Sequence, residues 1–258
     1  MNFMEIKIAG AGKIAGGEYD AVKVSGSADA VGEIRTASLC VAGSMKTDSA
    51  ILCTGEASVS GSFRSDGCFS AEVVNVGGTL KIGGKANLGK QAKISGKVSV
   101  GENIKGSEIF VSGHLVCDGG VEAEKLTARG AISVGGLLNA DDIEIVYGAV
   151  GNGLGKGNSS VGAIGGSHIV VRRGSMDKKI RKLPFLSKAF GQNPTVTVTD
   201  GIEGDDISLE GVATPRVVGR VVKIGDECKI DTVEYSETLE VSPNAEVKEK
   251  IKIGTVDG

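Results

Sequence analysis

The chain has 258 residues with 41 glycines, four prolines, no tryptophan and 3% aromatic residues. High glycine content can indicate disorder, but 40% hydrophobic residues and few prolines argue for a folded protein with a large core. The formal net charge is only −3, so nothing in the overall electrostatics favours a nucleic-acid partner.

Five cysteines are present, an odd number, and none forms a C-x-x-C pair: Cys40, Cys53, Cys68, Cys117 and Cys228. This usage is typical of small, partly buried thiols in a reducing cytosol. There is no signal-peptide pattern and no run of 18 apolar residues, so we expect a cytoplasmic protein without a membrane span.

A pattern of apolar residue, small residue and glycine returns every 17 or 18 residues. In the segment Lys93–Val100, the apolar side chains at Ile94, Val98 and Val100 alternate with polar ones, as expected for a strand with one buried face. The glycine column comprises Gly26, Gly43, Gly61, Gly78, Gly96, Gly113, Gly130, Gly148 and Gly166.

The period divides into three parts of about six residues, each a short strand followed by a corner. Three strands and three corners per period predict an all-β fold, a triangular β-solenoid with 17–18 residues per coil. A β-sandwich or propeller would need hairpins, and two-residue hairpin signals are largely missing from the sequence.

The repeat breaks at Arg172-Arg173-Gly174 and resumes about one coil later. We therefore predict N-terminal coils over 1–173, an interruption over 174–192, and acidic C-terminal coils over 193–258. In the last part, Ile207, Ile224 and Val241 are 17 residues apart, and two further columns are expected. These columns are Val212, Ile230, Val247 and Val218, Tyr235, Ile253.

The interruption combines basic and apolar side chains, which permits two interpretations. Its residues could contact an anionic membrane surface or a protein partner, or they could pack as a loop or short helix on the flank of the solenoid. The residues concerned are Lys178, Lys179, Arg181, Lys182, Phe185, Leu186 and Phe190.

Enzymatic β-solenoids place histidines or clustered acids at their sites, and this chain offers few of either. His114 and His168 are about three coils apart in the repeat, too far to share a metal. The adjacent pairs Asp141-Asp142 and Asp205-Asp206 point to opposite faces of a strand. The glycine-rich run 148–166 lacks the order of a phosphate loop. We predict no catalytic, cofactor-binding or metal site and no cofactor.

The two ends of a solenoid expose unpaired backbone and apolar interior unless they are capped. Both ends of this sequence already read as strand, with little left to form a cap. We therefore expect end-to-end self-association into an open filament, through Phe3, Ile6, Ile8, Val247, Ile251 and Ile253.

Two features resemble the bactofilin family of bacterial cytoskeletal proteins. One is the Val-Ser-Gly type of coil, as in 24–26, 59–61, 94–96 (Ile-Ser-Gly) and 111–113. The other is the segment 221–230, VVKIGDECKI, with 233–236, VEYS, which looks like longer members from endospore-forming lineages.

The resemblance implies a single-stranded, right-handed parallel β-helix, whereas the spacing alone would also allow a left-handed coil. It also implies polymerisation through the ends without nucleotide, and cytoplasmic filaments often at the membrane that act as scaffolds in cell shape or motility. Cell-envelope proteins are possible partners. The alternatives are a solenoid enzyme acting on acyl groups or polysaccharide, and a membrane-surface adaptor that uses the basic segment.

Overall fold

The computed structural model of the protein describes residues 4–147, 159–174 and 196–254, and all of its regular structure is β-strand. The described residues contain no helix, and every registered strand pair is parallel. This confirms the predicted all-β solenoid. The chain divides into two compact units, one of residues 1–126 and 134–136, the other of 127–133 and 137–258.

The first unit contains β1 to β16 and most of β17. Its strands are β1 (Met4–Ile8), β2 (Ala11–Val24), β3 (Ser27–Val41), β4 (Ser44–Thr47), β5 (Ile51–Cys53), β6 (Glu56–Val59), β7 (Ser62–Ser65), β8 (Phe69–Ser70), β9 (Val73–Val76), β10 (Thr79–Ile82), β11 (Ala86–Asn87), β12 (Gln91–Ile94), β13 (Lys97–Val100), β14 (Ile104–Lys105), β15 (Glu108–Val111), β16 (His114–Cys117) and β17 (Val121–Ala128).

The second unit contains the longer strands. These are β18 (Ala131–Tyr147), which also supplies 134–136 to the first unit, β19 (Ser159–Arg173), β20 (Val196–Leu209), β21 (Val212–Ile224), β22 (Lys229–Val241) and β23 (Glu246–Lys252). The boundary predicted at 174–192 lies, apart from Gly174, outside the described residues.

Each regular coil of the first unit consists of three short strands, as β13, β14 and β15 show. Every residue of β13 is paired with one residue in the coil before and one in the coil after; Lys97 is opposite both Thr79 and His114. Because these partners are 17 or 18 residues away in sequence, the repeat length of the sequence is the length of one turn of the backbone.

The core of the first unit is the interior of this stack. Along β13, Val98 and Val100 are buried, with Lys97 exposed on the outside. Phe63 and Phe69 fill the interior of an earlier coil, with ring centroids 6.0 Å apart and an edge-to-face arrangement. A buried hydroxyl is also satisfied, since Ser65 Oγ donates to the Ser49 carbonyl at 2.8 Å.

The glycine column of the first unit has a steric cause. A Cβ added to Gly43 would lie 2.0 Å from the carbonyl oxygen of Gly26, and the same distance recurs between each later glycine and its predecessor. No real side chain fits at that distance. The glycines for which this contact is 2.0 Å are Gly26, Gly43, Gly61, Gly78, Gly96 and Gly113.

In the second unit, single long strands replace the three short ones. Ser159 is opposite Val196, so adjacent coils there are connected through the residues that precede Val196. A second close glycine contact appears here, because a Cβ on Gly204 would lie 2.2 Å from the Gly166 carbonyl oxygen.

A polar cluster holds one turn of the second unit together. The Tyr147 ring is 5% exposed, and the Arg173 guanidinium lies 5.9 Å from its centroid while also pairing with Glu227. The backbone N–H of Arg173 donates to Glu210 Oε2 at 3.1 Å. Gly211, with φ of 63°, packs directly against the Tyr147 hydroxyl. Burial raises the pKa of Tyr147 to about 12.

Candidate assembly site

The outer edge of β1 is the first candidate surface for self-association. β1 pairs with β2 on one side, with Ile6 opposite Val22 and Ile8 opposite Val24, and no described strand pairs with its other side. Ile6 and Ile8 face the same side as the buried Val22 and Val24, so they face the interior, yet both are only half-buried. Phe3, predicted to join them, lies outside the described residues.

β23 is the second candidate surface. It pairs only with β22 among the described strands, and five of its seven residues are charged. Val247 lies opposite the buried Ile230 and continues the interior column, but it is half-buried.

Ile251 and Ile253, the other predicted contacts, are placed on the flank. Ile251 is opposite Glu234, whose carboxylate pairs with Arg216 on the outer surface at 2.8 Å, and Ile251 is 37% exposed. Ile253 follows β23 and is 36% exposed. The structure thus places Ile6, Ile8 and Val247 toward the interior and these two isoleucines outside it.

The last part of β22 is a further exposed edge that the sequence analysis did not include. β23 covers β22 only up to Tyr235, and no described strand covers Thr238–Val241. Leu239 and Val241 are opposite the buried Val222 and Ile224, so they face the interior, and both are half-buried. Val241 was predicted as an interior residue, which was the available signal that its neighbour on the next coil is missing.

Exposed ion pairs run along the outer surface beside these edges. Glu5 pairs with Lys23 at 2.7 Å and Lys7 at 3.1 Å. Hydrogen bonds from Lys23 and Lys7 lower the pKa of Glu5, and the bond to Glu5 raises the pKa of Lys23. On β22, Glu240 pairs with Lys223 of the preceding coil at 3.1 Å. Such solvated pairs contribute little to stability but do select which edges can match.

The basic segment predicted to contact a membrane or partner lies outside the described residues. That applies to Lys178, Lys179, Arg181, Lys182, Phe185, Leu186 and Phe190 alike.

His168 belongs to a ladder of charged groups on the second unit. Its ring nitrogens lie 3.8 Å from Asp142 and 3.5 Å from Asp206 in the adjacent coils. Asp206 in turn pairs with Arg220 at 2.8 Å, and Arg220 pairs with Glu237 at 2.9 Å. All these side chains are well exposed, and the ladder matches charges between coils without enclosing a substrate-sized pocket. Within residues 4–147, 159–174 and 196–254, no group of three His, Cys, Asp or Glu side chains is placed to hold a metal ion.

An open groove of about 860 Å³ crosses the coils of the second unit. Gly165, Gly166, Gly204 and Gly219 contribute to its lining without side chains, and Arg216 and Arg220 also line it. Both guanidinium groups are already paired with carboxylates, which raises the pKa of each arginine. The groove therefore presents no unpaired cation from these two residues to a ligand.

The buried cysteines are unreactive by environment. Burial raises the pKa of Cys53 and Cys228, and that of Cys117 to about 11. The Cys117 thiol donates to the Glu102 carbonyl at 3.0 Å. Cys40 is half-buried and Cys68 exposed. A thiol whose pKa is raised has little thiolate at neutral pH, so Cys117 is a core residue and not a nucleophile.

The fold and its open strand edges define a protein of the parallel β-solenoid class. No helix among the described residues is long and apolar enough to cross a membrane.

Two curated proteins of Bacillus subtilis (strain 168) are similar to this chain in sequence. The uncharacterized protein YhbF is 35% identical over 118 residues, which is 46% of this chain and 42% of the relative. The uncharacterized protein YhbE is 35% identical over 121 residues, 46% of this chain and 44% of the relative. The chain thus spans less than half the length of the curated relatives it matches. No protein-family model and no solved structure matches it.

Proposed function

We propose that this protein is a non-enzymatic bacterial cytoskeletal scaffold that assembles end to end into filaments without nucleotide. The observation that carries the proposal is a pair of open strand edges with interior apolar side chains half-exposed, β1 at one edge and β22 with β23 at the other. Unpaired strand edges are templates for pairing with another chain. Contacts that do not close on themselves build filaments and not rings.

The resemblance to bactofilins and the lack of a built catalytic centre among the described residues support the same proposal. Filaments of this kind would lie in the cytoplasm and support cell shape or motility, with contacts to the inner face of the membrane and to cell-envelope proteins. The basic residues of 174–192 are the proposed membrane or partner contact.

The test is electron microscopy and sedimentation of the purified protein without nucleotide, beside two neighbouring substitutions on β22. Leu239→Arg puts a charge on the interior side of the open edge, whereas Thr238→Arg puts the same charge on the exposed side. We expect filaments from the unchanged protein and from Thr238→Arg, and a folded, unassembled protein from Leu239→Arg. Unchanged protein that stays monomeric at every concentration would refute the proposal.

A further inference from the structure

The two open edges differ in which part of a coil they leave uncovered. On β2, strand β1 covers Ala21–Val24 and reaches back to Tyr19, while the stretch from Ala11 to Glu18 has no second partner among the described residues. On β22, strand β23 covers Lys229–Tyr235, while Thr238–Val241 has none. One edge therefore has the last part of a coil and lacks the first, and the other edge has the first part and lacks the last.

We propose that copies of this chain stack head to tail, so that β1 of one copy and β23 of the next complete one composite coil. β1 would pair in parallel with Thr238–Val241, and the start of β2 would pair with β23. The inference rests on the proposed self-assembly and adds to it a polarity and a register.

The register follows from the interior residues. Ile8 is opposite Val24, the last residue of β2, and Val241 is the last residue of β22, opposite Ile224 at the end of β21. Aligning Ile8 with Val241 places Ile6 on Leu239, so both half-exposed apolar pairs become buried against each other.

The same alignment holds in the next part of the coil. Six residues separate Ile8 from Ile14, and six separate Val241 from Val247, so Ile14 falls on Val247. Both side chains face the interior of their coils, since Ile14 is 1% exposed and Val247 is opposite Ile230.

Charges match in this register as well. Lys7 falls beside Glu240, which already pairs with Lys223 on its other side, and Lys13 falls beside Glu246. No like-charged residues come opposite each other between Met4–Tyr19 and Glu237–Lys252. Like charges directly opposite in a sheet are destabilising, so the alignment meets a condition that arbitrary registers fail.

A disulfide experiment tests the polarity directly. Cα atoms on adjacent strands are about 4.8 Å apart, within the range that a disulfide spans. In a Cys40→Ser/Cys68→Ser background, only the buried Cys53, Cys117 and Cys228 remain. One preparation adds Lys7→Cys and a mass tag, and the other adds Glu240→Cys without a tag.

When the two preparations are mixed, assembled and oxidised, we expect a disulfide-linked heterodimer as the main product. Lys81→Cys, exposed in the middle of the first unit, replaces Lys7→Cys in the control and should give no such product. Homodimers of either variant, or filaments without any cross-link, would overturn the head-to-tail register while leaving the proposed self-assembly intact. A background protein that forms no filaments would instead overturn the proposed function and this inference together.

A charge-reversal cycle gives a second readout. Lys13→Glu or Glu246→Lys alone should raise the critical concentration for assembly by about 2- to 5-fold, as expected for an exposed ion pair. The double variant should restore it. Failure of the double variant to recover while both single variants are impaired would contradict the register.

Discussion

Gly78 lies so close to Gly61 that a Cβ on Gly78 would be 2.0 Å from the Gly61 carbonyl oxygen. The preceding residue, Gly77, has nothing within 4 Å of its own added Cβ. Two adjacent glycines thus occupy opposite extremes of steric freedom at the same corner.

The first prediction compares these two positions. Gly78→Ala must push apart two stacked backbones and should lower the free energy of unfolding by about 3 kcal/mol. Gly77→Ala should change it by less than about 1 kcal/mol, possibly upward, because alanine restricts the unfolded chain. Thermal unfolding followed by circular dichroism measures both. Equal destabilisation by the two substitutions would show that the glycine column is not a steric requirement.

The second prediction concerns Gly211, which has φ of 63° and would place a Cβ 2.0 Å from the Tyr147 hydroxyl oxygen. Gly211→Ala combines backbone strain with this clash and should cost about 3 kcal/mol or more. Adding Tyr147→Phe should recover part of the loss, since the phenyl ring still lies close. The control is Gly254→Ala, where the new Cβ meets nothing within 4 Å. No recovery in the double variant would mean that the backbone conformation alone accounts for the loss.

The third prediction is a loss of stability at high pH through Cys117. Its pKa is raised by burial from 9.0 to about 11, so the folded state keeps a proton that the unfolded state releases between those values. The contribution is fully present below pH 9 and falls by roughly 2 kcal/mol as pH rises to 11.

Replacing this thiol should flatten the pH dependence. Melting temperatures of Cys117→Ala and of the unchanged protein, measured from pH 8 to 10.5, should converge as pH rises. The exposed Cys68→Ala serves as the matched control and should run parallel to the unchanged protein. Parallel curves for Cys117→Ala would contradict the burial argument.

The fourth prediction separates the interior of the β23 edge from its flank. Both Val247 and Ile253 were predicted from sequence as assembly contacts, but only Val247 faces the interior column. Val247→Arg should therefore abolish filaments at concentrations where Ile253→Arg still forms them, as judged by sedimentation and negative staining. The reverse order would place the contact surface on the flank.

The repeat made the solenoid predictable because coil pairing is strictly local in pattern. Val98 and Val100 alternate with exposed residues, and each coil repeats its neighbour at a fixed spacing, so the period, the number of strands per coil and the interior columns all follow. The glycine column also follows, although its cause, a carbonyl oxygen of the coil before, is visible only in three dimensions.

Register in the second unit was harder to derive from a fixed period. Ile224 and Val241 are opposite each other as expected, but Ile207 is opposite Val222 and not Ile224. The tight turn at Gly211 shortens that coil, with Val196 opposite Val212. Likewise Val212 was aligned with Ile230, which the structure places opposite Thr214, because a period of 17 cannot represent a shorter coil.

The candidate assembly site was predictable only in part. Ile6, Ile8 and Val247 follow from the alternation of apolar residues, but Ile251 lies outside because β23 carries Lys250 opposite the buried Val233. The unpaired stretch Thr238–Val241 depends on where β23 stops, and strand ends are the least certain property of a sequence-based prediction.

Residue-for-residue pairing at a constant spacing also makes the first unit adjustable in whole steps. Removing Lys97–Gly113 would join Gly96 to His114 and leave every remaining residue above a partner of its own kind, shortening this part by one strand spacing of about 4.8 Å. Removal of half that length would instead set interior valines against exposed lysines. Length in such a protein is therefore quantised, and whole-coil insertion or loss is the route by which it could be lengthened or trimmed without redesign of its core.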